Sequence, residues 1–566
     1  MRPPLLLLPL FISFLFSPPP AVAVAVAVAA GAAGAATLVT HLPGFDGRLP
    51  FRFETGYVGV DEEKGVELFY YFVESEGRPR DDPLVLWLTG GPRCSAFSGL
   101  VFEIGSCNPV LHSVGLNWPI FCPVAGGYVG PSHIRNGVRL GGLSHVQNGV
   151  KLVGPSHNRD LWVLCNCRVD TKEGGCKKML GTNGAPHYPG PLKFVTAEYN
   201  GSLPSLVYFP YSWTKVSSII FLDSPVGSGF SFSKQMEGYD VGDISSSMQV
   251  YTFIKKWFSD HPQFLSNPFY VAGDSYAGKV APLIAQIISE VTEWQAGIES
   301  GQQPRLNLKG YLIGNPGTGE KYDNNYKVPY AHGMGIISDQ LYELTQKNCQ
   351  GEDYGNPRNR LCAQVLETVE ELMDKVEKAQ VLERKCILVS PKPEITSESR
   401  RYLKGENAKL SSPPEVPPLE CRSYAYFLSY YWANDNRTRE ALNVKKGTVK
   451  EWVRCEKVLP YTKDLDSSIK YHYNLTRRGY RALVYSGDHD MVVPFLGTQA
   501  WIRSLNFSIV DDWRSWDVDG QAAGFTITYA NNMTFATVKG GGHTAPEYRP
   551  KECLAMVRRW LNGKPL

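Results

Sequence analysis

Phe269-Tyr-Val-Ala-Gly-Asp-Ser-Tyr-Ala-Gly278 is the stretch that decides the fold. Four apolar or aromatic residues read as a buried strand, Gly273 to Gly278 as a tight turn, and Lys279 to Val291 as a helix with apolar residues at helical spacing. A serine on so sharp a strand-to-helix turn is pushed out of the sheet, with its hydroxyl exposed and helix N–H groups beside it. The usual pattern of this nucleophile elbow is G-x-S-x-G; Ala277 occupies the second small position and still lets the turn close.

Working outward, two later segments supply what a serine nucleophile needs. Arg481-Ala-Leu-Val-Tyr-Ser-Gly-Asp-His-Asp490-Met-Val-Val-Pro494 reads as a strand running into a loop with two carboxylates, and Val538-Lys-Gly-Gly-Gly-His543 as a glycine run ending in a histidine. A serine hydroxyl is too weakly acidic to attack a carbonyl unaided; an imidazole must take its proton, and a carboxylate must hold that imidazole in the right tautomer. The order Ser275, Asp490, His543 is that of α/β-hydrolases. Asp490 lies past the strand end, in the loop, and is preferred to Asp488, which reads as a structural carboxylate. Leu84-Val-Leu-Trp-Leu-Thr-Gly-Gly-Pro92 is an early strand whose Gly90-Gly91 end aims a backbone N–H at a developing oxyanion. Gly91 and Tyr276, the residue after the nucleophile, are the expected oxyanion donors, each worth roughly a hundred- to a thousandfold in rate.

These motifs, with Glu54-Thr-Gly-Tyr-Val-Gly-Val60, Phe221-Leu-Asp-Ser-Pro-Val-Gly-Ser-Gly-Phe230 and Ile313-Gly-Asn-Pro-Gly317, resemble the secreted plant branch of the serine carboxypeptidase family. The resemblance runs from about Thr37 to the C-terminus except for one block. It implies an α/β-hydrolase fold: a central, mostly parallel sheet flanked by helices, with a helical cap inserted at about 320–425. It also implies the disulfides Cys94–Cys455, Cys349–Cys362 and Cys386–Cys421, with Cys553 left as a buried thiol on the C-terminal helix, and it makes the polar run 390–418 a linker that some relatives lose by proteolysis. In the family's carboxypeptidases an asparagine before the Gly-Gly pair and a glutamate before the serine hold a peptide's terminal carboxylate. This chain has Thr89 and Asp274 there, both shorter, and a hydroxyl offers one donor where an amide offers two. Together with Gly90 they form the expected substrate-binding set, and the Thr/Asp pattern resembles plant acyltransferases that use 1-O-acyl-glucose donors and metabolite hydroxyls as acceptors. Acyl transfer is therefore expected. The alternatives are a carboxypeptidase acting on a peptide C-terminus and a catalytically impaired binding protein, the latter suggested by Arg93 where the family has glycine. Neither cofactor nor metal is expected.

Composition bounds the rest. The 566 residues suit one large domain with insertions, and a formal charge of +3 gives no case for nucleic acid. Residues 1–36 start Met-Arg, continue with an apolar core at Leu5 to Phe16 and end in an Ala/Val/Gly tract, the pattern of a secretory signal. Its removal leaves no membrane anchor, and the destination is extracellular or vacuolar. Asn-x-Ser/Thr sites at Asn200, Asn436, Asn474, Asn506 and Asn532 agree with that route.

Residues 106–190 differ in kind from the hydrolase segments 37–105 and 191–566. Ser132-His133, Ser144-His145 and Ser156-His157 recur every twelve residues without helix or strand period. Joining Gly105 to Pro191 gives Val-Phe-Glu-Ile-Gly-Pro-Leu-Lys-Phe, continuous with the family pattern, so the block reads as a retained intron. Cys165-x-Cys167 lacks a second pair at zinc-finger spacing, which argues against metal.

Overall fold

The computed structural model describes residues 36–104, 192–296, 306–387 and 415–566. Residues 1–35, where a secretory signal is expected, the 106–190 block and most of the 390–418 run lie outside the described residues.

The scaffold is a 12-stranded mixed sheet. In chain order its main strands are β1 (Thr37–Val39), β2 (Phe53–Asp61), β3 (Val66–Val73), β4 (Leu84–Leu88), β5 (Ser218–Leu222), β6 (Phe269–Asp274), β7 (Leu308–Gly314), β8 (Arg481–Gly487), β9 (Ile509–Val518), β10 (Gln521–Tyr529) and β11 (Met533–Val538). Their spatial order is β1-β2-β3-β5-β4-β6-β7-β8-β11-β10-β9. From β5 to β11 across the centre every pairing is parallel, while β1–β3 and β9–β10 attach antiparallel at the two edges. This is the mostly parallel α/β-hydrolase sheet that the sequence led us to expect.

Side-chain alternation assigns the faces. On β4, Leu84, Leu86 and Leu88 join one apolar cluster while Val85 and Trp87 join the other, and on β3 Leu68, Tyr70 and Phe72 alternate in the same way with Phe69, Tyr71 and Val73. Both faces are covered, so the central strands read as unbroken apolar runs. One cover consists of helices α1 (Asp243–Asp260) and α2 (Ala277–Ala296), through Val250, Phe253, Trp257, Ile284 and Ile288. The opposite cover includes the helices Ser423–Asn434 and Pro550–Leu561, through Phe427, Trp432, Val557 and Trp560.

The helical cap has a small core of its own, built on Val328, Tyr330, Ile337, Val369 and Met373. Its longest helix spans Arg360–Met373, where the sequence suggested Ala363 to Lys378. It stops early because residues 378–380 bond instead to the loops that carry Asp490 and His543: Lys378 O accepts from Met491 N–H at 2.9 Å, Ala379 O from His543 N–H at 2.7 Å, and Gln380 Nε2 donates to Gly540 O at 3.1 Å. The disulfides Cys94–Cys455, Cys349–Cys362 and Cys386–Cys421 are all formed, and Cys553 is buried on the last helix. All five sequon asparagines are exposed. Among the described residues no helix is long and apolar enough to cross a membrane.

Candidate active site

Ser275 follows β6 with φ of 55°, the left-handed conformation an elbow requires. Backbone bonds hold it there: its N–H donates to Gly314 O at 2.9 Å, and its carbonyl accepts from Gly278 and Gly317 N–H, each at 3.0 Å. Crowding explains the small residues around it. A Cβ at Gly273 would come within 2.5 Å of Leu88 O, and one at Gly278 within 2.3 Å of Pro316 Cβ. Ala277 is accommodated, so the second position at which glycine is required is 278, one residue beyond the usual pattern.

The strand ends β6, β8 and β11 bring Ser275, Asp490 and His543 together. His543 Nε2 lies 2.8 Å from Ser275 Oγ, and Nδ1 lies 2.9 Å from Asp490 Oδ2. Because an ionised carboxylate only accepts, Nδ1 carries the proton and donates to Asp490, which leaves Nε2 to accept from the Ser275 hydroxyl. Asp490 is fully buried and also accepts from Asn315 Nδ2 at 2.8 Å, Val492 N–H at 2.7 Å and Val493 N–H at 3.2 Å. Burial pulls the His543 pKa down, but the Asp490 charge and hydrogen bond outweigh it and leave the imidazole above its ordinary value. Asp488 serves the backbone instead. Its Oδ1 accepts Gly540 N–H at 2.6 Å and fixes the glycine run that carries His543.

On the oxyanion side, among the described residues neither Gly91 nor Tyr276 donates its backbone N–H to any acceptor. A Cβ at Gly90 would lie 2.6 Å from Ser275 Cβ and 3.0 Å from Tyr276 N, so only glycine lets the two loops meet. The N–H of Gly90 itself goes to Asp274 Oδ1 at 3.2 Å, and Thr544 Oγ1 donates to Asp274 Oδ2 at 3.3 Å. The Tyr276 hydroxyl donates to buried Asp243 at 2.7 Å, which fixes that residue from behind.

Thr89 is committed inward. Its Oγ1 donates to Glu103 Oε2 at 2.8 Å, beside the Trp87 Nε1 donor at 2.8 Å on the same oxygen. Sequence reasoning gave Glu103 no role, although a lone acid within Leu100-Val-Phe-Glu103-Ile was a signal, since a buried charge needs donors. Burial pushes the Glu103 carboxyl well up, with the nearby Asp274 adding to it, and burial raises Asp274 too. Asn315 was recognised only as part of a motif. Its side chain links Asp490 to Gly487 N–H, accepting the latter at 3.1 Å.

Arg93 adopts φ of 68°, so the position does require the left-handed conformation that glycine supplies freely. Its side chain is 1% exposed, and Nη2 donates to Tyr239 O and Pro460 O, both at 2.7 Å. The site opens into a cleft of about 280 Å³ shared by Thr89, Ser275, His543, Tyr426 and Arg454.

The sheet and the elbow define an α/β-hydrolase-fold enzyme. A family model described as serine carboxypeptidase matches residues 43–117 and 181–563, and the chain belongs to that family. It is 41% identical to serine carboxypeptidase-like 2 of Arabidopsis thaliana over 534 residues, covering 94% of each chain. It is 40% identical to serine carboxypeptidase-like 19 of the same plant over 538 residues, covering 94% of this chain and 95% of that one. Among solved structures it is similar to Kex1(delta)p, a prohormone-processing carboxypeptidase from Saccharomyces cerevisiae. The TM-score there is 0.57 at 16% identity, covering 91% of this chain and 93% of that one, a likeness of fold.

Proposed function

We propose that this secreted enzyme works through an acyl-enzyme on Ser275 and transfers acyl groups from 1-O-acyl-glucose esters to metabolite hydroxyls. Ser275 Oγ attacks the ester carbonyl carbon while His543 Nε2 takes the hydroxyl proton. The bond from that carbon to the sugar oxygen breaks, and the sugar leaves with the proton from His543. The acceptor hydroxyl then attacks the acyl carbon while its proton passes to His543; the bond from that carbon to Ser275 Oγ breaks, His543 returns the proton to Oγ, and the new ester leaves. Gly91 and Tyr276 N–H groups receive the oxyanion in both halves.

One observation carries the choice of reaction: the single hydroxyl proton of Thr89 points at Glu103, not into the cleft. With Gly90 N–H held by Asp274, neither that N–H nor the Thr89 hydroxyl is left to donate to a peptide's terminal carboxylate. A sugar ester carries no such carboxylate and loses nothing. The carboxypeptidase reading keeps one support, since raised carboxyls at Glu103 and Asp274 suit a shared proton at acidic pH. An impaired binding protein is disfavoured by the unbroken Ser275–His543–Asp490 hydrogen bonds. The test is to offer purified protein a panel of acyl-glucose esters with hydroxyl acceptors and, in parallel, blocked dipeptides. Ester product without dipeptide cleavage supports transfer; efficient dipeptide cleavage without transfer replaces it with peptidase activity.

A further inference from the structure

Of the arginines lining the cleft, Arg384 pairs with Glu420 and Arg422 with Glu383. Arg454 is different. Among the described residues no hydrogen bond leaves its guanidinium, and its Nε is buried without a partner. The guanidinium lies over the Tyr426 ring, 4.2 Å from the centroid, while the Tyr426 hydroxyl donates to Glu547 at 2.9 Å. The charge is felt by Glu103, Asp274 and Glu547, yet none of them accepts a hydrogen bond from it. Its backbone is fixed to the oxyanion loop: Arg454 O accepts Ser95 N–H at 2.7 Å, and the next residue forms the Cys94–Cys455 disulfide.

A half-buried guanidinium normally has a carboxylate or several carbonyls on its fork, because leaving its donors unmatched away from water is costly. Here the fork is braced by an aromatic face and a disulfide, presents a planar set of donors and shares a cleft with the nucleophile. We infer that Arg454 is a specificity residue that grips a carboxylate carried by the acyl acceptor or leaving group. The side is set by Glu103 and Asp274, which share its field and lie with Thr89 and Gly90, where the departing or incoming group is placed. The inference rests on Ser275 being the nucleophile, and it names the chemistry of the second substrate. That carboxylate belongs either to a hydroxy acid accepting an acyl group or to an acidic residue released from a peptide.

The experiment uses the full secreted chain, p-nitrophenyl acetate as a neutral acyl donor, and lactate or lactamide as acceptor. The readout is the ratio of acetyl-lactate to acetyl-lactamide formed at equal acceptor concentration. Wild type should favour the acid. Arg454→Gln should lower the ratio about ten- to a hundredfold, the value of a charge-assisted hydrogen bond, and Arg454→Lys should recover part of it. A merely structural role would lower both products alike and leave the ratio unmoved, which would overturn the inference. A parallel arm uses blocked dipeptides ending in Asp or Asn. If these are cleaved while neither acceptor is acylated, the transfer reading fails, and the Asp-to-Asn ratio then decides on Arg454 by the same criterion. Release of no p-nitrophenol and cleavage of no peptide would overturn both readings.

Discussion

At the scale of single residues, the elbow carries the largest consequences. Ser275→Ala removes only a hydroxyl from a turn held by backbone bonds, so the fold should persist while turnover of every substrate falls by at least about 10⁴-fold. His543→Ala should cost about as much, because the two act as one unit. Steady-state rates on any accepted ester check this, and a residual rate within tenfold of wild type would remove Ser275 from its assigned role. Arg93 is the second residue of consequence. Its left-handed φ costs roughly 1–2 kcal/mol, which read from sequence suggested simple strain on the oxyanion turn. The structure adds two charge-assisted hydrogen bonds to backbone carbonyls and a filled interior site, set against Nε and Nη1 atoms that are buried without partners. Arg93→Gly would relieve the backbone but leave Tyr239 O and Pro460 O without donors beside a cavity as large as the lost side chain. We expect a net loss of about 1–3 kcal/mol in thermal or denaturant unfolding; a variant as stable as wild type would show that strain prevails.

At the scale of elements, the sequence was most readable where local pattern and burial agree. β6 with α2, β8, and the β10–β11 hairpin turning on left-handed Asn531 and Asn532 all show apolar runs broken by turn residues. β9 was not anticipated. It is a sheet edge of mostly exposed residues, Ile509-Val-Asp-Asp-Trp-Arg-Ser-Trp-Asp-Val518, so burial imposed no alternation on it. Thr89, Asp274, Ser275, Asp490 and His543 were legible because each sits in a short motif. Glu103, Asp243 and Arg454 were not, because their meaning comes from partners far away in the chain. The 106–190 block is also an element-scale matter. Ile104 and Leu192, which flank it, are both buried in one apolar cluster, and the Phe102 and Phe194 rings are 6.1 Å apart. The family match likewise stops at 117 and resumes at 181. Deleting Ser106 to Gly190 should therefore raise yield and activity, since closing a loop of roughly eighty residues costs ~2.5 kcal/mol more than closing a short one. Transcripts uniformly encoding the block, with a deletion variant that folds worse, would contradict this.

For the whole molecule, buried acids set the pH response. Burial pushes the Asp223 carboxyl up to about 7, despite donors from Phe230 N–H, Ser95 and Ala96 N–H, and it raises Glu103, Asp274 and Glu547 as well. A raised carboxyl binds its proton more tightly in the folded chain. Its contribution is fully present below the unfolded pKa of about 4 and is lost as pH rises through the folded value. His261 and His543, both raised, act in the same direction above pH ~6.5, whereas Glu54, lowered by its His261 and Tyr70 hydrogen bonds despite burial, adds stability above pH ~4 that is lost in stronger acid. Buried His472, pushed down to about 3 by burial, opposes them and loses stability as pH falls below ~6.5. The raised carboxyls and histidines outnumber it, so the melting temperature should be higher near pH 5 than near pH 8, and an equal or higher value at pH 8 would refute the assignment. The reaction itself is tested most directly by restoring the carboxylate grip. In Thr89→Asn with Asp274→Glu, the amide has one N–H for Glu103 and a second for the cleft, and the longer carboxyl reaches a substrate's terminus. Measured as kcat/KM, blocked-dipeptide cleavage should rise about ten- to a hundredfold, most at acidic pH where a shared proton is available, while acyl-glucose transfer falls or stays level. Wild-type protein that already cleaves blocked dipeptides efficiently, with no gain in the double variant, would contradict the account and make the enzyme a carboxypeptidase.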